Sequence, residues 1–202
     1  MINRIRSLKA KKGFTLVELI VVIAIITILT AVLIPLIARY AAQAQYVMLQ
    51  DAAGTIADSA NNALADGNQV SAVNITLIEG VREKGELSIT LYYDATKKAA
   101  ATISKDGVAQ DATGTGNDGE KRAAERMCDS LAVTLPDDCA FLISVSNSAV
   151  NGVLFTNTGS TVPAAPDGST VIIGTVDGFE NAYAYEDGNG EAVGVYGKYK
   201  VE

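Results

Sequence analysis

Histidine is absent from all 202 residues. Its absence removes the commonest general base and the commonest zinc ligand. Cysteine is nearly absent. Only Cys128 and Cys139 occur, with no CxxC and no Cys/His pairing, so no zinc-finger spacing exists. Serines and threonines are plentiful, but none sits in a nucleophile motif. Asp137 and Asp138 are paired carboxylates, yet they follow Pro136 in a turn. With no catalytic constellation and no internal repeat, the chain reads as a non-enzyme that needs no cofactor.

Charge is missing in two places. Residues 1–13 contain no acid, only Arg4, Arg6, Lys9, Lys11 and Lys12. The 20 residues from Leu19 to Ala38 carry no charge at all, which is the length a helix needs to span a bilayer. A basic segment before an apolar run keeps the N-terminus cytoplasmic and sends the rest outward. The other 11 of the 16 basic residues share the remainder of the chain with all 23 acids. An acidic exported part is a poor match for phosphate backbones, so nucleic-acid binding is not expected. Both cysteines fall in that part. An even count in an oxidising compartment makes a Cys128–Cys139 disulfide the expectation, closing a short loop for on the order of 3 kcal/mol. Two reduced, partly buried thiols are the alternative.

The apolar run begins KKGFTLVELIVV, residues 11–22, and carries one carboxylate, Glu18. Such a group is costly in lipid and is a functional candidate by default. A secretory signal peptide has a shorter apolar region, and the Ala42-Gln43-Ala44 imitation of its cleavage site lies well past the run. A plain anchor fits the length but leaves Glu18 unexplained. The stretch Gly13-Phe14-Thr15-Leu16-Val17-Glu18, with the basic leader before it, the long apolar helix after it and Pro35 further on, resembles the class III leader and mature start of type IV pilins and pseudopilins. The resemblance covers roughly residues 5–60.

That resemblance implies a leader, 1–13, cut by a prepilin peptidase between Gly13 and Phe14. It implies N-methylation of Phe14 and a pairing of Glu18 with the Phe14 amine of a neighbouring subunit, which sets assembly register. Pairing would offset the cost of a lone carboxylate in a low-dielectric bundle. It also implies the α+β type IV pilin fold, one long helix laid on an antiparallel sheet. Gly13 would let a protease approach the backbone, and Pro35 would kink or loosen the helix.

Past the apolar run, Tyr46, Leu49, Ala53, Ile56, Ala60, Ala63 and Leu64 recur at three- and four-residue steps. This predicts a helix over 14–66, of which about 14–38 lies in a membrane or filament core. Gly67 is its expected C-terminal cap. The head, 67–202, reads as strands at 86–93, 99–104, 140–146, 152–156, 170–175 and 192–200, with a second helix at 117–132 and a loop at 159–169. The first two strands form a hairpin.

Gly114-Thr115-Gly116-Asn117-Asp118-Gly119 matches the GxGxxG string but lacks a strand feeding it, so a flexible surface loop is the expectation. Asp187, Asn189 and Glu191 form a weak calcium candidate that a reverse turn explains more simply. Asn74-Ile75-Thr76 is a sequon by letter. Tyr183, Tyr185, Tyr196 and Tyr199 read as sheet and core residues before a stacking surface. The expectation is a structural pilus subunit for adhesion or motility, membrane-held as precursor and then extracellular. Its partners would be itself, other pilins, the peptidase and the pilus assembly machinery. A pseudopilin of a type II secretion or DNA-uptake system, and a membrane-tethered binding domain, are the alternatives.

Overall fold

The computed structural model describes residues 14–94, 96–105, 111–159, 161–163, 171–172, 184–186 and 192–197. The chain divides into two compact units, residues 1–43 and 44–202. A helix of 55 residues, α1 (Leu16–Val70), begins in the first and continues in the second.

In the first unit α1 is apolar on every side, and its large side chains from Leu16 to Ile37 are all exposed. Leu16–Ala38 is long and apolar enough to cross a membrane. At about 1.5 Å per residue it matches a hydrocarbon core of about 30 Å. Its hydroxyls are satisfied locally. Thr27 Oγ1 donates to Ile23 O at 2.7 Å and Thr30 Oγ1 to Ile26 O at 2.9 Å, the usual solution for a hydroxyl in an apolar helix. Pro35 lies inside α1, and the helix continues on both sides of it.

In the second unit α1 buries one stripe: Leu49, Ala53, Ile56, Ala57, Ala60, Ala63 and Leu64. That is the face the three- and four-residue steps predict. The helix ends later than expected. Gly67 is not a cap but a buried interior residue, where an added Cβ would overlap the carbonyl oxygen of Gly119. The true stop comes from Asn68. Its Nδ2 donates to Leu64 O at 2.9 Å while its Oδ1 accepts from Val73 N at 2.9 Å.

The sheet has eight strands: β1 (Leu77–Glu83), β2 (Glu86–Tyr92), β3 (Ala99–Lys105), β4 (Cys139–Ser146), β5 (Ala149–Thr156), β6 (Val171–Ile172), β7 (Ala184–Glu186) and β8 (Ala192–Gly197). Their order is β3-β2-β1-β4-β5-β8-β7-β6, and every pairing is antiparallel. Two-residue turns close the β1–β2 and β4–β5 hairpins. Lys84-Gly85 and Asn147-Ser148 both place two successive residues at positive φ, the twist that matches paired strands. The helix α2 (Asp118–Thr134) links β3 to β4. The sequence-predicted strands at 86–93, 99–104, 140–146 and 152–156 are present, the first ending one residue sooner and the other three extended by up to three residues. Of 170–175 and 192–200 the described parts are β6 and β8. β1 and β7 were not expected.

One core lies between the helices and one face of the sheet. It joins the α1 stripe, Met127 and Leu131 of α2, and Ile78, Leu87, Ile89, Phe141, Ile143, Val153 and Phe155 of the strands. The intervening Leu142 and Leu154, with Val193 and Val195, form a smaller cluster on the other face, as period-two alternation requires. The α+β class and the long helix packed on an antiparallel sheet are therefore as expected.

Candidate functional site

Glu18 is not a lone carboxylate. Thr15 is the N-cap of α1, and Glu18 stands three residues on. The Thr15 backbone N–H donates to Glu18 Oε2 at 2.9 Å, the Thr15 hydroxyl donates to the same oxygen at 2.8 Å, and the Glu18 N–H donates back to Thr15 Oγ1 at 3.2 Å. This is a reciprocal capping box, which satisfies two of the amides a helix start leaves unpaired. The signal T-x-x-E was present in the sequence, and Thr15 is the residue the reading missed. Phe14 precedes the box with its side chain almost fully exposed. Gly13 lies outside the described residues.

The second unit holds its own buried carboxylate. Asn117 caps α2 with a second capping box, and its partner Glu120 is buried. Glu120 Oε2 accepts from Asn117 N at 2.9 Å and from the Tyr93 hydroxyl at 2.8 Å. Its Oε1 accepts from Asn74 N at 3.2 Å. One side chain thus joins α2, the β2–β3 connection and the segment leading into β1. Bonding to the Glu120 carboxylate, with burial, pushes the Tyr93 phenol above its ordinary range.

The glycine-rich string belongs to this packing. Gly114 sits at φ 136°, and both it and Gly116 press on the Ala100 carbonyl. Gly116 N donates to that oxygen at 2.7 Å. Gly119 lies against Ser71, whose hydroxyl takes the Gly119 N–H at 2.7 Å. Thr113 bridges to Thr102 on β3. The expected flexible loop is instead pinned to β3 and the end of α1, and the Gly119 and Glu120 amides of α2 are spent on Ser71 and Asn117.

Two further contacts hold α2. Arg82 on β1 donates to Ala132 O at 2.6 Å and Leu135 O at 2.9 Å and pairs with Asp137, satisfying carbonyls at the helix end. Asp66 on α1 receives Arg122 and Arg126. The expected disulfide is not formed in this structure. Cys128 and Cys139 are both buried thiols. Cys128 Sγ lies 3.9 Å from Leu87 O, while Cys139 opens β4 opposite Arg82. Burial pushes the Cys139 thiol up to about 11. Tyr196 is partly exposed, with its ring 3.5 Å from where a Gly54 Cβ would sit. Tyr185 lies in β7. Tyr183, Tyr199, Asp187, Asn189 and Glu191 lie outside the described residues.

A family model described as the prokaryotic N-terminal methylation motif matches residues 8–34. It spans the end of the basic leader, the Gly13–Phe14 junction, the Thr15–Glu18 box and most of the apolar start of α1. The motif is the class III leader of type IV pilins. No curated protein and no solved structure matches the chain.

Proposed function

We propose that this type IV pilin-type precursor is a structural subunit of a type IV pilus, polymerised into a surface filament for adhesion or motility. The observation that carries the reading is the methylation motif at residues 8–34 running directly into α1. On this reading a prepilin peptidase removes residues 1–13, and the new Phe14 amine is methylated. Leu16–Ala38 first holds the precursor in the cytoplasmic membrane. It then passes into a filament core, an exchange of one apolar surrounding for another in which packing rather than hydrophobicity decides association. Glu18 sets register by meeting the Phe14 amine of a neighbouring copy. The unit 44–202 forms the outer surface, alongside any other pilins and the assembly machinery that handles them. The work done is assembly, not turnover.

N-terminal sequencing and intact mass of protein sheared from the cell surface test this. The expected result is a start at Phe14 with one added methyl in the sheared filament fraction. A start at Met1, with all of the chain left in the membrane fraction, overturns it. A start at Phe14 with no sheared filament would move the chain to a pseudopilin role.

A further inference from the structure

Glu18 lies in a stretch with no other polar side chain from Leu19 to Ile26. A carboxylate in such surroundings is tolerated only when hydrogen-bonded. All of its hydrogen bonds among the described residues go to Thr15. Both donors reach the same oxygen, Oε2, and Oε1 accepts from no described residue. Thr15 therefore does two things at once. It satisfies half of the carboxylate, and by gripping Oε2 from two directions it fixes the side chain toward the helix start with Oε1 left to accept.

We infer that Thr15 is a positioning residue for assembly: it holds Glu18 capped within its own chain, with one oxygen kept available for a cation on a second copy. This rests on the assembly reading above and adds to it a residue and a state. The carboxylate enters assembly already half-satisfied, so the second chain supplies only what Oε1 lacks. Removing the Thr15 hydroxyl takes away one donor to the carboxylate and the acceptor for Glu18 N–H. Glu18 then remains in the sequence but loses its fixed direction.

The experiment compares Thr15→Val, which keeps the branched shape without the hydroxyl, with Thr15→Ser, which keeps the hydroxyl. Glu18→Ala is the control. Two readouts are taken on the processed full-length chain. The first is amide hydrogen exchange at Thr15 and Glu18 in detergent micelles, where no filament is needed. The second is the yield of sheared filament, with the membrane-retained fraction checked for a Phe14 start. Thr15→Val should exchange roughly tenfold faster and yield roughly tenfold less filament, the scale of a lost hydrogen bond to a charged group. Thr15→Ser should restore both. Unchanged exchange in Thr15→Val means the box does not form and overturns the inference. Faster exchange with normal filament yield makes the box a helix cap and nothing more, and overturns it too. If Glu18→Ala assembles normally, the register role of Glu18 fails, and the positioning role of Thr15 fails with it. In that case the exchange data still report separately on the box.

Discussion

Phe141 on β4 lies directly over Gly80, its register partner on β1, so that a Cβ at Gly80 would overlap the Phe141 ring. The glycine makes room for one of the largest fully buried side chains. Gly80→Ala forces the ring off its rotamer or the strands apart, and should cost about 2–4 kcal/mol, seen as a lower urea midpoint in detergent. Adding Phe141→Leu should recover part of that loss, because the two positions share one space. Strict additivity of the two substitutions would contradict the packing.

Glu120 ties three segments through Asn117, Tyr93 and Asn74. Glu120→Ala removes the reciprocal half of a cap and leaves a part-buried hydroxyl and an amide without their acceptor. The expected loss is about 2–4 kcal/mol. Tyr93→Phe alone should cost less, because Glu120 keeps its two backbone donors. An equal loss in both variants would show that the phenol, not the cap, is the main tie.

Asp66 accepts from Arg122 at 2.7 Å, and with Arg126 also close its carboxyl is held below its ordinary 3.8. The folded state keeps this group ionised to lower pH than the unfolded chain does. Its contribution is therefore present above the unfolded value and fades as pH falls through the folded one. Carboxyl titration followed by NMR should place Asp66 below 3.8, and Arg122→Gln should bring it back up. A larger return with Arg126→Gln would reverse the ranking of the two cations.

With both thiols buried and Cys139 held near 11, the folded chain should resist iodoacetamide at pH 8. The thiolate is the reacting form. Unfolding without a reductant should then expose both cysteines to labelling. Protein that stays unlabelled when unfolded, and takes label only after reduction, would show that the two sulfurs are bonded.

The buried stripe of α1 was legible because its apolar residues recur at helical steps beside a polar opposite face. β2 was legible for the same reason at period two, and β3 as the hairpin partner that follows it. β1 was not. Its inward positions include Gly80, and Glu79, Arg82 and Glu83 give it the look of a turn. Only the distant Phe141 explains the glycine. Gly67 failed in the same way: a helical glycine reads as a stop until the Gly119 backbone is seen against it. The capping boxes are the opposite case. Thr15-x-x-Glu18 and Asn117-x-x-Glu120 are both local patterns, yet neither box is in the sequence reading: Glu18 is weighed there only as a charge in an apolar phase, and Asn117 as part of a glycine-rich loop.

Gly194 on β8 touches the backbone of Leu49 on α1, close enough that no side chain fits between them. One partner comes early in the chain and the other near its end. The Leu49 end of the stripe thus stays uncovered until β8 has been made, and a chain cut short before β8 leaves that end bare. Closing so long a loop is slow, and an apolar helix face left open meanwhile invites non-native pairing. Quality control over this protein therefore has a late event to watch, the docking of β8 on the start of the buried stripe of α1.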